Sequence, residues 1–204
     1  MDYNKLQSDV TVQKVIAALP ARGITPHLVS TKEEALEKVR SLLPEGAELT
    51  TGGSQTLEQI GFTELLKSGA HPWKNLKDAI IAEKDEAKQA KLRLESTLAP
   101  YFLASVHAVT ETGEILIASG TGSQLPSDAF SSQNLIWVVG TQKIVPTLED
   151  AFKRLREYVF PLEDDRQKTS GNGKGSLIGK ILIIEKEAMG RNIHLIFVKE
   201  PLGF

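Results

Sequence analysis

Residues 101–124 read YFLASVHAVTETGEILIASGTGSQ. Side chains on a strand alternate between faces. Phe102, Ala104, Val106 and Ala108 should therefore share one face, and Leu103, Ser105, His107 and Val109 the other. Both faces are largely apolar, which marks a strand covered on both sides, as in the sheet of an α/β fold. Glu111, Thr112 and Gly113 form a turn, and residues 114–118 (EILIA) return as a second strand. Residues 120–124 (GTGSQ) follow as a flexible loop rich in hydrogen-bond donors.

Downstream, residues 134–140 (NLIWVVG) are the cleanest buried strand in the chain. Lys143 leaves that strand where open α/β sheets place ligand-contacting residues. Thr147 caps a helix carrying Ala151, Phe152, Leu155 and Val159, and Pro161 is expected to close it. Residues 161–176 (PLEDDRQKTSGNGKGS) are polar and glycine-rich, and read as a flexible connection. Two last strands, 177–184 and 193–198, are expected to pair as a C-terminal β-hairpin.

Upstream, Leu6, Val10, Ile16 and Leu19 recur at near-helical spacing until Pro20 and Gly23. This gives an N-terminal helical arm over residues 1–22. Residues 24–29 read as a weak strand. Thr31 and Glu34 make a capping box ahead of a helix with Ala35, Leu36 and Val39 on its apolar side. Residues 47–51 form another strand, feeding TTGGSQTLEQIG (50–61). Residues 78–98 read as one long, charge-rich helix with a solvated face.

The 204 residues suit one α/β domain. A net charge of -2 supplies no basic field, which argues against nucleic acid or an anionic membrane as partner. With no cysteine, thiolate metal sites and cysteine nucleophiles are excluded. The four histidines are far apart, so nothing argues for a metal site. No apolar run approaches the ~20 residues of a membrane span. The N-terminal residues lack the features of a signal peptide, so the expected compartment is the cytoplasm.

Gly52, Gly53, Ser54, Gln55 and Thr56 lie between a strand and a helix. Glycines let the backbone approach an anion, and Ser54 and Thr56 add hydroxyl donors. A phosphate or carboxylate cradle and a plain capped turn both fit. A P-loop does not, because its lysine is missing. Gly120, Thr121, Gly122 and Ser123 form the second donor-rich loop, and Thr112 and Gly113 belong to the turn before it. If these loops converge with Lys143, they suit a small anion. Glu111 or Glu114 could then act as base or nucleophile, with Lys143 in support. No cofactor motif is evident.

Several stretches resemble one family: GGSQTLEQIG, FLASVHAVTETGEIL, SGTGSQ, IWVVGTQKIVPTLEDAFKRLREYVFPLE and the closing GRNIHLIFVKEPLGF. In order and spacing they resemble the LUD domain of lactate-utilisation proteins. The resemblance implies a three-layer αβα fold with a mostly parallel sheet. That fold is like ribose-5-phosphate isomerase, glucosamine-6-phosphate deaminase and the coenzyme A transferases. It also implies an accessory part in lactate or organic-acid use, with iron–sulfur oxidoreductase subunits as partners.

The chain departs from that family's pattern in places. His107 stands where asparagine is usual and Thr112 where aspartate is usual. Ser119, Ser123 and Gln124 replace aspartate, asparagine and arginine. A cysteine cluster common in relatives is absent. The expectation is a protein that binds a small anionic metabolite or cofactor. An isomerase or acyl- or coenzyme A-transfer enzyme, a non-catalytic interaction subunit, and a homo-oligomer all stay open.

Overall fold

A computed structural model describes residues 2–169 and 173–204. Ser8 caps α1 (Asp9–Ala18), which runs into a 3-10 turn (Leu19–Arg22). β1 (Ile24–Val29) leads to α2 (Lys32–Leu42). There the Thr31 hydroxyl accepts from Glu34 N–H, and the Glu34 carboxylate accepts from Ser30 N–H at 2.7 Å. β2 (Glu48–Thr51) feeds the short α3 (Gln55–Gln59), then α4 (Phe62–Ser68) and β3 (Lys74–Asn75).

The stretch 78–98 is two helices, α5 (Leu76–Ala82) and α6 (Glu86–Ser96). Glu83 and Asp85 cause the break. The Glu83 carboxylate accepts from the N–H of Lys84 and Asp85, and Asp85 caps the second helix through Lys88 N–H.

The middle of the chain holds β4 (Tyr101–Ala104), β5 (Ala108–Thr110), β6 (Ile115–Ser119), β7 (Asn134–Gly140) and β8 (Ile144–Val145). α7 (Leu148–Arg154) continues through a π turn (Leu155–Val159) into α8 (Phe160–Thr169). Pro161 therefore does not close the helix. It directly follows the π turn, whose shift of hydrogen-bond register accommodates the missing N–H inside a continuous helix. The stretch read as a connection is helical through Thr169, and residues 170–172 lie outside the described ones. β9 (Lys180–Ile184) and β10 (Asn192–Val198) follow.

The central sheet has six strands in the order β1-β10-β7-β4-β2-β3, all parallel. A second sheet has the order β8-β5-β6-β9, with β5–β6 and β6–β9 antiparallel. The two last strands are consecutive in the chain but do not pair with each other. β9 joins β6, while β10 inserts between β1 and β7. An apolar strand with both faces buried belongs in the interior of a parallel sheet, and β10 has one exposed position, Asn192.

One face of the central sheet presents Leu49, Leu103, Ile136, Val138 and Ile196 to helices α2–α4, through Ala35, Val39, Leu57 and Phe62. The other face presents Phe102, Leu135, Trp137 and Leu195. It meets α1 and the inner face of the second sheet, through Val109, Ile115 and Ile117. The outer face of the second sheet is covered by Ala151, Leu155 and Val159. The helix–sheet–helix arrangement is thus present, with the second sheet sharing one layer. Among the described residues no helix is long and apolar enough to cross a membrane.

Residues 101–109 are not one strand. The chain leaves the central sheet after Ala104, bends through Ser105, Val106 and His107, and enters the second sheet at Ala108. Alternation is interrupted there. Val106 and Val109 face the shared core, while Ala108 faces the outer one.

Candidate functional site

Neighbouring parallel strands put their carboxyl ends on one edge of the sheet, and side chains from several of them converge there. β2 delivers Gly53, Ser54, Gln55 and Thr56, and β4 delivers Ser105 and His107. β7 delivers Lys143, and β10 is followed by Gly203 and Phe204. All of these line a cavity of about 500 Å³. β6 adds Gly120, Thr121, Ser123 and Gln124. The π turn and α8 close one side with Val159, Phe160, Glu163 and Arg166.

Lys143 is 2% exposed, at the end of a 3-10 turn (Thr141–Lys143). Its Nζ lies 3.1 Å from Ser105 Oγ and 3.2 Å from Thr56 Oγ1. The two hydroxyl oxygens are 3.3 Å apart. No carboxylate of the described residues forms an ion pair with it. Burial, and then the charge of Arg154, hold the amine well below its ordinary pKa.

His107 Nδ1 accepts from Ala118 N–H at 3.1 Å. The neutral ring therefore carries its proton on Nε2, which is left as a donor in a residue lining the cavity. Burial, with Lys143 and Arg154 adding to it, lowers the ring's pKa to about 3. Arg154 sits behind the cavity at 0% exposure. It donates to the His107 carbonyl at 2.6 Å and lies over the Tyr158 ring at 5.3 Å. Its Nε and Nη2 are buried with no partner. Burial lowers its pKa to about 10. Glu163 and Arg166 form a two-point ion pair at 2.8 and 2.9 Å.

The segment after β10 forms a wall. Gln142 Nε2 donates to the Leu202 carbonyl at 2.9 Å, and Gly203 N–H donates to Gln59 at 2.6 Å. Gly203 has φ +62° and packs closely. A Cβ there would sit 3.0 Å from Lys143 Nζ.

Of the residues singled out from sequence, Gly53, Ser54, Gln55, Thr56, Gly120, Thr121, Ser123 and Lys143 come together around the cavity. Gly52 and Gly122 do not line it. Gly52 N–H donates to the Leu103 carbonyl at 2.9 Å, and Gly122 lies against Lys180. Glu111, Thr112, Gly113 and Glu114 lie at the other end of the β5–β6 hairpin. They are absent from the cavity lining.

Glu114 pairs with Arg22 at 2.5 Å and accepts from the Thr110 and Thr112 hydroxyls. Burial pushes its carboxyl up. The two hydroxyls and Arg22 outweigh this and hold it below its ordinary range. Glu111 pairs with Lys14 at 2.7 Å. Both glutamates tie the hairpin to the N-terminal helical region.

From sequence alone Ser105 and His107 fall on one face of a strand, Arg166 falls in the 161–176 connection, and Arg154 carries no distinguishing mark. The bend that exposes Ser105 and His107 follows from pairing partners far away in sequence. A lone serine at the carboxyl end of a central strand was the available signal.

A family model described as the LUD domain matches residues 12–198. Curated proteins give no match by sequence. A DUF162-family protein from Deinococcus radiodurans is similar in structure over 95% of this chain and 99% of its own, with a TM-score of 0.54 and 12% identity. At that identity the likeness bears on the fold alone. eIF2B beta from Chaetomium thermophilum is similar over 58% of this chain and 44% of its own, with a TM-score of 0.38 and 13% identity.

Proposed function

Because the chain belongs to the LUD domain family, we propose that it binds a small organic anion at the carboxyl ends of its parallel strands, in the service of lactate or related organic-acid use. The observation that carries this reading is Lys143. A buried amine with hydroxyl partners only is uncompensated, and Arg154 adds like charge behind it. An anion entering the cavity supplies the missing countercharge. The Ser105 hydroxyl and the His107 ring donor then complete its hydrogen bonding, with Thr56 holding the amine from behind. The cavity volume is in the range of small-molecule sites. Without cysteine the chain offers no thiolate for a cluster. The family resemblance is what suggests iron–sulfur subunits of an oxidoreductase as its partners.

An anion next to Lys143 raises the amine's pKa, so binding should take up a proton. Calorimetry in buffers of different ionisation heat measures this directly. Thermal unfolding is to be followed with lactate, a sugar phosphate and a coenzyme A thioester. A binder at a hundred times its dissociation constant adds ~2.7 kcal/mol. Lys143→Met should abolish the shift while leaving the fold intact. No stabilisation by any of the three, or the same stabilisation in the variant, would overturn the reading.

A further inference from the structure

We infer that Ser105 and Lys143 form a nucleophile–base pair for cleaving small acyl esters or thioesters, and that the anion of the cavity is the carboxylate product. The inference rests on the anion reading and gives it a chemistry.

The geometry starts at the bend after β4. Ser105 is half-buried and faces the cavity, and its Oγ lies 3.1 Å from Lys143 Nζ. A general base must reach its proton within roughly 2.6–3.2 Å. Of the cavity serines, Ser54, Ser119, Ser123 and Ser176 make no hydrogen bond to Lys143 among the described residues. Ser54 Oγ accepts from Leu57 N–H, Ser119 Oγ from Gly122 N–H, and Ser123 Oγ accepts from the Thr121 hydroxyl. Thr56 also reaches Lys143, but it is 1% exposed and donates to the Leu202 carbonyl. It orients the amine. The Ser105 hydroxyl has a longer contact of its own, 3.4 Å to the Val106 carbonyl, which it leaves on donating to the amine; being half-buried, it is the reachable hydroxyl.

A lysine serves as base only as a free amine. Burial and Arg154 favour that form here, and no carboxylate restores the proton. Lysine replaces histidine in known serine-based pairs. Val106, Leu155, Val159, Leu177 and Phe204 give the cavity apolar walls for an acyl group.

Lys143 Nζ takes the Ser105 hydroxyl proton as Oγ bonds to the carbonyl carbon, and the C=O π pair moves to oxygen. The His107 ring N–H is the available donor to that oxyanion. The adduct collapses, and the bond to the alcohol or thiol breaks. The leaving group takes the proton from the Lys143 ammonium. Water then repeats the attack on acyl-Ser105, with Lys143 taking its proton. The second adduct collapses, the acyl C–Oγ bond breaks, Ser105 Oγ takes a proton from the Lys143 ammonium, and a carboxylic acid is released. Ionised, this product pairs with protonated Lys143, which is the anion-bound state proposed above.

The test is treatment of the whole protein with an alkyl fluorophosphonate, followed by intact mass and peptide mapping. One adduct on Ser105 is expected, absent in Ser105→Ala and formed about 100-fold more slowly in Lys143→Met. No adduct, or an adduct on Thr56 or at the surface, overturns the inference. A second measurement does not depend on Ser105→Ala folding. The chain has no cysteine, so Ser105→Cys introduces a single thiol. Its alkylation by iodoacetamide is followed against pH, alone and combined with Lys143→Met. The inflection should lie higher in the double variant, and equal inflections refute the pair. Thermal shifts with acetate and lactate are read in parallel. Stabilisation without labelling removes the acyl chemistry and spares the anion reading, and labelling without stabilisation does the reverse.

Discussion

Asp128 shows how a single buried group sets a pH dependence. It is fully buried in a π turn (Ser127–Ser131). Its Oδ1 accepts from Trp137 Nε1 at 3.0 Å, and Oδ2 has no partner. Burial raises its pKa from 3.8 to about 7, against the opposing pull of Trp137 and Arg191. The folded protein therefore keeps a proton that the unfolded chain releases. The stabilisation is complete below the unfolded value and is lost as pH rises through about 7. Asp128→Asn keeps the acceptor for Trp137 and removes the titration. The melting temperature of the wild type should fall relative to this variant between pH 5 and 8, as read from paired melting curves. Parallel curves would contradict the assignment. His107, held neutral in the fold, acts in the opposite direction in both proteins, so their difference isolates Asp128. Residues such as these were hard to read from sequence. Glu111 and Glu114 carry no local mark of their partners Lys14 and Arg22, which are remote in the chain. Lys143 was legible, because the carboxyl end of an apolar parallel strand is where ligand-contacting groups collect.

Among the elements, β7 and β10 were legible for the same reason: continuous apolar runs bounded by polar residues. The break between β4 and β5 was not. Apolar alternation looks the same on either side of Ser105, and only the pairing of Ala104 with Trp137 and of Ala108 with Leu116 separates the two sheets. The segment following β10 packs down onto the cavity. Gly203 is its most constrained point. Its left-handed backbone costs a residue with a Cβ roughly 1–2 kcal/mol, and the added methyl would press on Thr56 and Lys143. Gly203→Ala should lower the melting temperature and weaken anion binding together, as titration of both proteins would show. Unaltered binding would mean that this wall does not shape the cavity.

At the scale of the whole molecule, one apolar core joins both sheets. Trp137 from the central sheet packs in the same cluster as Val109, Ile115 and Ile144 from the second. Neither sheet can lose its partner without exposing that core. Denaturant unfolding should therefore give a single transition, with tryptophan fluorescence and far-ultraviolet dichroism coinciding. Two separated midpoints would show that the sheets unfold independently. The fold class was legible because alternating strands and helices prescribe a mostly parallel sheet. Which strands entered the second sheet was not, since that depends on long-range pairing. The borders of the central sheet carry a further consequence, for aggregation. An open strand invites another chain to add itself. On one border β1 contains Pro26, which has no N–H to offer an incoming strand. On the other, β3 is only two residues long, and Lys74 is held across it by Glu48 at 2.5 Å. Both borders thus resist fibril-like growth by strand addition.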